Sequence, residues 1–458
     1  MNRHDIVIVG AGPAGLTAAY SALKYLPDHS ILTIEKGNRL EKRKCPVHDR
    51  PCVKCPVCHI TQGFGGAGTF SDGKIVFSST IGGELQVKED EREFVKGIFE
   101  KFVDSSIPGK LYRPQDVEDI TYKAMKYGMK YIPSEIFHLG TDGGFLFNQN
   151  FQKFLEERVD IHFHETAEKI EKAGGYFRVH TDRGSYEAKY VILAPGRAGS
   201  HKLRDILSPF RVKSYGNKVD LGVRVEVPAM IMEEITTKTY EPKLIYYTKQ
   251  FDDRVRTFCV NPGGVVIQEF VNDVITVNGF SYELKKTENT NFAILVTVSF
   301  TEPFDDPLAY GSSILKLANL ISGGVILQKL GDLRKGRRST EKRIAEGIVE
   351  PSLKGAIPGD LAFVLPYRFL SDIIEFLDVL SNLVPGVNED FALLYGPEVK
   401  FYSNKIYHDV KNLFIIGDGS GYTRGIFQSM VSGYRQIKNI KEAEEKGQVC
   451  APAWWATD

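Results

Sequence analysis

Asp5-Ile6-Val7-Ile8-Val9-Gly10-Ala11-Gly12-Pro13-Ala14-Gly15 stands near the start of the chain and decides its reading. An apolar run enters a glycine turn of the form G-x-G-x-x-G, and Leu16 to Tyr25 continues as a helix. A second apolar run, Ile31 to Ile34, ends in Glu35, twenty positions past Gly15. Strand, glycine turn, helix, strand and acid in this order predict a dinucleotide-binding element. Gly10 permits the tight turn, Gly12 lets backbone approach a pyrophosphate, and Gly15 lets helix and strand pack closely. The N–H groups at the helix start attract phosphate. Glu35 would accept from a ribose 2′-hydroxyl, which disfavours a 2′-phosphate and leaves FAD or NAD rather than NADP at this site.

The chain has 458 residues, enough for two or three domains. A hydrophobic content of 42% and a charged content of 25% suit a soluble globular protein. Lys plus Arg equals Asp plus Glu at 58 each, so no global field points to nucleic acid or to an anionic membrane. Ile6 to Leu23 runs eighteen residues without a charge, but its glycines and proline crowd one turn, with Asp5 at the edge. It therefore reads as neither a membrane span nor a signal peptide, and a cytoplasmic protein with reduced thiols is expected.

Six cysteines are too few for a disulfide scaffold, yet Cys45, Cys52, Cys55 and Cys58 crowd into fourteen positions. The pattern C-x6-C-x2-C-x2-C lies in an aperiodic loop and leaves three readings open. The triple Cys52/Cys55/Cys58 with a separate Cys-Pro suits an iron–sulfur cluster. Structural zinc fits a reduced loop, with His48 or His59 able to replace a thiolate. Unligated thiols or a redox disulfide are the third. Lys42, Arg43, Lys44, Arg50 and Lys54 would offset thiolate charge.

Gly63 to Lys74 follows, with five glycines in the eleven positions from Gly63 to Gly73, which predicts backbone close to a neighbour or turns with positive φ. Residues 88–157 read as helical, with mixed-charge runs at Lys88–Val103 and Gln115–Tyr127. Asp160–His164, Tyr176–His180 and Tyr190–Leu193 alternate and predict a β-meander returning to the first sheet, with His162, His164 and His180 turned to solvent. Ala194-Pro195-Gly196 closes that sheet. From about 215 to 330 the chain is strand-rich and predicts a second domain with a mixed or antiparallel sheet. The basic run Leu333–Arg343 reads chiefly as solvated surface. Asn412 to Ile416 forms a late strand, followed by a Gly417-Asp418 turn and a helix through Gln428 to Ile437. Asp418 beside a helix N-terminus suits a ribityl chain, with helix N–H groups near a flavin pyrimidine or a phosphate.

Together these elements resemble the two-dinucleotide-binding-domain flavoproteins of the glutathione-reductase structural class, in their single-fingerprint branch. More narrowly, GGAGTFSDGK at 65–74, VDLGVRVE at 219–226, RTFCVNPGG at 256–264 and GDGSGYTRGI at 417–426 resemble the FAD-dependent "NAD(FAD)-utilising" dehydrogenases. The resemblance implies FAD contacts at Gly10, Gly12, Gly15, Glu35, Gly66 and Asp418. Pro13, Ala14, Lys36, Arg43, Ala67, Ala194, Gly196, Gly417, Gly425 and Ile426 are further cofactor-binding candidates. Ser71, Asp72, Lys74, Tyr422 and Arg424 are the candidate proton donors or anion clamps.

The expected architecture is α/β: a Rossmann-like FAD domain with β-meander, and a second α+β substrate domain. The expected divisions are 1–82, with the cysteine loop at 45–58; a helical segment at 83–157; 158–214; a substrate domain at 215–395; 396–445; and a tail at 446–458. The expected activity is an FAD-dependent oxidoreductase acting on a small organic substrate, with C=C reduction first. NAD(P)H is the candidate electron donor, and a redox carrier such as ferredoxin enters if the cysteine loop holds iron and sulfur. A flavin monooxygenase or halogenase is the alternative, and a flavin-loaded partner protein with structural zinc the third.

Overall fold

In the computed structural model the described residues are 2–45, 55–107, 109–271, 273–281, 286–300 and 306–452. The opening run forms a strand because both its faces are covered. Ile6, Val7 and Ile8 of β1 (Asn2–Val9) have no exposed surface, which is why the segment reads as continuous rather than alternating. The turn delivers helix α1 (Pro13–Tyr25), with Pro13 at its first position, where a missing N–H costs nothing. Strand β2 (Ile31–Glu35) then pairs parallel to β1, Ile6 opposite Ile31 and Val9 opposite Ile34.

The run Lys88–Val103 becomes helix α2 (Glu89–Phe102). The expectation of helix throughout 88–157 is corrected. Three-residue strands at Lys110–Tyr112, Lys130–Ile132 and Ile136–His138 interrupt it, with helices Val117–Lys126 and α3 (Gly140–Glu156) beside them. Strands this short show no period of two, so no pattern announces them.

Beyond α3 the chain returns to the first sheet. Strand β3 (Asp160–Phe163) pairs parallel with β2, and the meander of β4 (Ala167–Ala173), β5 (Tyr176–Thr181) and β6 (Gly184–Leu193) brings β6 parallel alongside β1. The order across the sheet is β3-β2-β1-β6-β5-β4.

The chain divides into two compact units. One comprises residues 1–110, 137–217 and 402–458; the other 111–136 and 218–401. The second unit is built on an eight-stranded sheet. Its central strand β7 (Val219–Pro228) sits between Asn289–Val298 and Leu393–Phe401, antiparallel to both. A parallel pair, Ile326–Lys329 with Ile357–Pro358, makes the sheet mixed. Val219, Leu221, Val223, Val225 and Val227 enter an apolar core that includes Phe369, Ile373 and Phe376 of helix α4 (Tyr367–Leu380). The opposite face of β7 carries Asp220, Arg224 and Glu226, also buried. Arg224 donates to both carboxylate oxygens of Glu398 at 2.9 and 2.8 Å, so this buried charge is paired and hydrogen-bonded.

The first unit is completed by strand Leu413–Ile415, parallel to the C-terminal end of β6, and by helix α5 (Ile426–Glu445), which packs along α1. Among the described residues no helix is long and apolar enough to cross a membrane.

Candidate functional site

The glycine turn has the geometry that its three positions predict. Gly10 has φ +106°, and a Cβ there would meet the Ala194 carbonyl oxygen at 2.3 Å. A Cβ on Gly15 would stand 2.0 Å from the Gly10 oxygen. At Gly12 the nearest atom to an added Cβ is the Gly66 Cα at 4.0 Å, so this side of the turn is open. No side chain caps the N-terminus of α1, and its first turn holds no acid. Uncapped N–H groups beside open backbone suit a pyrophosphate.

Glu35 closes the second strand and is 7% exposed. Its Oε2 accepts from the Ala11 N–H at 2.7 Å, while Oε1 accepts from Gly37 and Gly63 N–H at 2.8 and 2.9 Å. Three donors fill three of the roughly four lone-pair sites of a carboxylate, leaving one on Oε2 for a ribose hydroxyl. Glu35 thus ties the first glycine turn to the glycine-rich loop. Burial, followed by the charge of Lys202, lowers the pKa of Lys36.

The glycine-rich loop forms a 3-10 turn at Gly66–Phe70. Gly65 N–H donates to the Ala11 carbonyl at 2.8 Å, and a Cβ on Gly66 would sit 3.0 Å from the Gly12 Cα. The loop therefore lies against the phosphate turn, with Ala67 exposed. Arg43, 3% exposed, holds it there. Its Nε donates to the His59 carbonyl, one terminal nitrogen to the Phe64 carbonyl and the Thr69 hydroxyl, and the other to the Ile60 and Gly66 carbonyls. All five N–H donors are spent inside the protein, so Arg43 positions the loop. Burial lowers its pKa to about 10, against the opposing pull of Glu35 and Cys58.

Lys74 and Asp72 pair at 2.9 Å with little exposure, and Ser71 donates to the Gly68 carbonyl at 2.7 Å. Pro13, Gly68 and Ile426 border a small apolar cavity with Leu16, Phe147 and Met430.

At the late turn, Ile416 N–H donates to the Leu193 carbonyl at 2.8 Å, bringing Gly417-Asp418 beside Ala194-Pro195-Gly196. Ala14 lies directly beneath, with a Cβ on Gly417 2.8 Å from its own. Asp418 Oδ1 accepts from the Thr423 and Ser429 hydroxyls, both at 2.8 Å, while Oδ2 stands 3.6 Å from Arg197 Nε. Burial raises its pKa, opposed by Arg197 and the two hydroxyls. Gly425 precedes α5, which likewise has no capping side chain and no acid in its first turn. Arg197, Thr423 and Ser429 escaped the sequence reading because no spacing marks them as partners of Asp418. The Arg424 guanidinium carbon lies over the Tyr402 ring, 3.9 Å from its centroid, and Tyr422 lies near Lys405.

Cys45, Cys55 and Cys58 are free, partly exposed thiols, and Cys52 lies outside the described residues. Among the described residues no group of three or more His, Cys, Asp or Glu side chains is placed to hold a metal. Cys450, 3% exposed, anchors the C-terminal segment, and burial raises its pKa to about 11. The basic run at 333–343 is largely paired, Arg334 with Asp378, Lys335 with Asp390 and Arg337 with Asp332.

Residues 218–401 match the family model described as "FAD-dependent protein, C-terminal domain-like", and residues 8–41 match an NAD(P)-binding Rossmann-like domain. No curated protein matches the chain. Solved structures similar to it include an unusual amino acid oxidase of nikkomycin biosynthesis, at 12% identity over 100% of each chain and a TM-score of 0.41. An L-proline dehydrogenase from P. horikoshii is 12% identical, over 98% of this chain and 94% of its own, with a TM-score of 0.39. A geranylgeranyl bacteriochlorophyll reductase-like protein from Thermoplasma acidophilum is 14% identical, over 98% and 80%, with a TM-score of 0.38. Likenesses this distant say nothing about substrate. The two family matches and the α/β architecture agree with the expectation of an FAD-dependent oxidoreductase.

Proposed function

We propose that this chain binds FAD in its first unit and works as a dehydrogenase or reductase on a small organic substrate. The observation that carries the reading is the Glu35 carboxylate, buried against the phosphate turn with one acceptor site to spare. In this reading Glu35 holds the adenosine ribose, and Gly12 with the N-terminus of α1 takes the pyrophosphate. Oδ2 of Asp418, with the start of α5, takes the ribityl chain and the flavin end. When bound, the flavin supplies hydride or single-electron transfer. The protein's part is to orient it and to set the charge around it. Thr423 and Ser429 fix the direction of Asp418, while its raised pKa favours the protonated, hydroxyl-donating form more than in free solution.

Reduction of a C=C bond is the first candidate reaction, with NAD(P)H or a carrier such as ferredoxin as electron source. Flavin-dependent monooxygenation is the second, and rapid formation of a C4a-hydroperoxide spectrum with oxygen would favour it. Cys45, Cys52, Cys55 and Cys58 are retained as candidate ligands of zinc or an iron–sulfur cluster; metal and sulfide assays on protein purified without oxygen distinguish the two.

The test of the central claim is FAD titration followed by absorbance and fluorescence. Wild-type protein becomes yellow and quenches the flavin. Glu35→Gln, which turns one acceptor oxygen into a donor, weakens FAD about a hundredfold, or ~2.7 kcal/mol. A chain that stays colourless in excess FAD would falsify the assignment.

A further inference from the structure

Resting on the flavin reading, we propose that Arg424 and Lys405 form a clamp for the carboxylate of an acidic substrate, and that Glu84 fills this clamp while substrate is absent. Arg424 meets Glu84 Oε1 at 3.3 Å and Lys405 meets Oε2 at 2.5 Å. Each oxygen of one carboxylate is thus assigned its own cation, a division that suits a planar carboxylate. The three side chains are 25%, 29% and 38% exposed, so the pairing is open to solvent and to exchange.

Both cations rest against an aromatic ring as well as against Glu84. The Arg424 guanidinium carbon lies over the Tyr402 ring, its own N–H donates to the Gly82 carbonyl at 2.8 Å, and the next residue, Gly425, precedes α5. Its Nε is buried without a hydrogen-bond partner among the described residues, so the guanidinium has donor capacity that Glu84 does not use. Lys405 Nζ sits 5.1 Å from the Tyr422 ring centroid, which offers an aromatic wall. Asn217 Nδ2 pins this corner by donating to the Ser403 and Gly421 carbonyls at 3.1 and 2.8 Å.

The backbone of Glu84 is fixed by its N–H on the Tyr422 carbonyl, and the next residue, Leu85, donates its N–H to Gln428 Oε1. Only the Glu84 side chain needs to rotate out, and an incoming carboxylate would inherit two cations without movement of the loop. The clamp lies directly before α5, whose start is assigned above to the flavin end. An acid bound there is therefore held next to the proposed reacting centre.

Calorimetric titration of the FAD-loaded protein with benzoate, and with benzamide as its uncharged isostere, tests this. Benzoate binds and benzamide does not. Glu84→Gln removes the competing charge and tightens benzoate about tenfold, while Arg424→Gln weakens it at least tenfold and Arg424→Lys recovers only part. Unchanged benzoate affinity in Glu84→Gln, or equal binding of benzamide, overturns the clamp. FAD occupancy, read from the flavin absorbance of each variant, separates loss of the clamp from loss of the cofactor. Failure of every variant to take up FAD would overturn the clamp together with the flavin reading.

Discussion

Arg43 should prove the most costly residue of the first unit to neutralise while keeping its bulk. Arg43→Met removes five charge-assisted hydrogen bonds from a side chain that is 3% exposed. Four carbonyls, those of His59, Ile60, Phe64 and Gly66, lose this donor, and Phe64 alone of them keeps the Thr69 hydroxyl, at 3.3 Å. At about 1.5 kcal/mol for each charge-assisted bond, the gross loss is roughly 7 kcal/mol. Against it stands the charge burial that Met no longer bears. The fall of the Arg43 pKa to about 10 corresponds to roughly 3 kcal/mol at ~1.4 per unit. A net loss of about 4 kcal/mol is expected, large for a single substitution. Urea unfolding with and without saturating FAD measures it. The FAD-dependent increment should shrink as well, because the loop that Arg43 pins lies on the phosphate turn. A loss under 1 kcal/mol with undiminished FAD stabilisation would show that the loop keeps its place without the guanidinium.

Asp372, fully buried on α4, has its pKa raised to about 7, first by burial and then by the neighbouring Asp253, with Thr248 and Arg368 opposing. A carboxyl held protonated in the folded state stabilises most below its unfolded pKa near 4, and that stability is lost as pH rises to 7. Asp372→Asn should therefore raise the urea midpoint at pH 8, by about 4 kcal/mol in stability, and change little at pH 4; equal gains at both pH values would refute the assignment. Gly15→Ala places a methyl 2.0 Å from the Gly10 oxygen, so the expected result is loss of soluble folded protein or of FAD binding, read by gel filtration and flavin absorbance. Asp418→Asn keeps acceptance at Oδ1 and removes the charge facing Arg197. FAD binding should weaken by less than tenfold while the pH dependence of flavin reduction shifts, and an unshifted profile would count against a protonic role for Asp418.

The first βαβ unit was legible because its period, its glycines and its acid each answer a separate physical demand, and all fall within residues 5–35. The second sheet was legible as strand-rich from β-branched runs, and β7 shows why its surroundings were not. Its polar residues Asp220, Arg224 and Glu226 suggest a solvated face, yet that face is buried, and the partner that neutralises Arg224 lies at Glu398, far along the chain. Alternation reports which residues share a face and is silent on what covers it. Arg43 shows the same limit. In a lysine- and arginine-rich stretch it reads as solvated or thiolate-facing charge, and only the carbonyls of His59, Ile60, Phe64 and Gly66 converging on it reveal a scaffold.

This scaffold gives the cysteine loop a physical connection to the nucleotide site whatever its thiols hold. Arg43 follows the 3-10 turn at Leu40–Lys42 on one side of the loop, and His59 and Ile60 leave it on the other. The guanidinium bonds both of those carbonyls together with Gly66, which touches Gly12. A thiolate at Cys58 acts on Arg43 in the direction that favours the charged guanidinium, and the positive charge of a metal ion bound there would oppose it. Oxidising or metallating the loop should thus change how firmly the glycine turn is held, and FAD affinity is the quantity that reports it. Thiol alkylation that leaves the FAD dissociation constant unchanged would show that the two are mechanically independent.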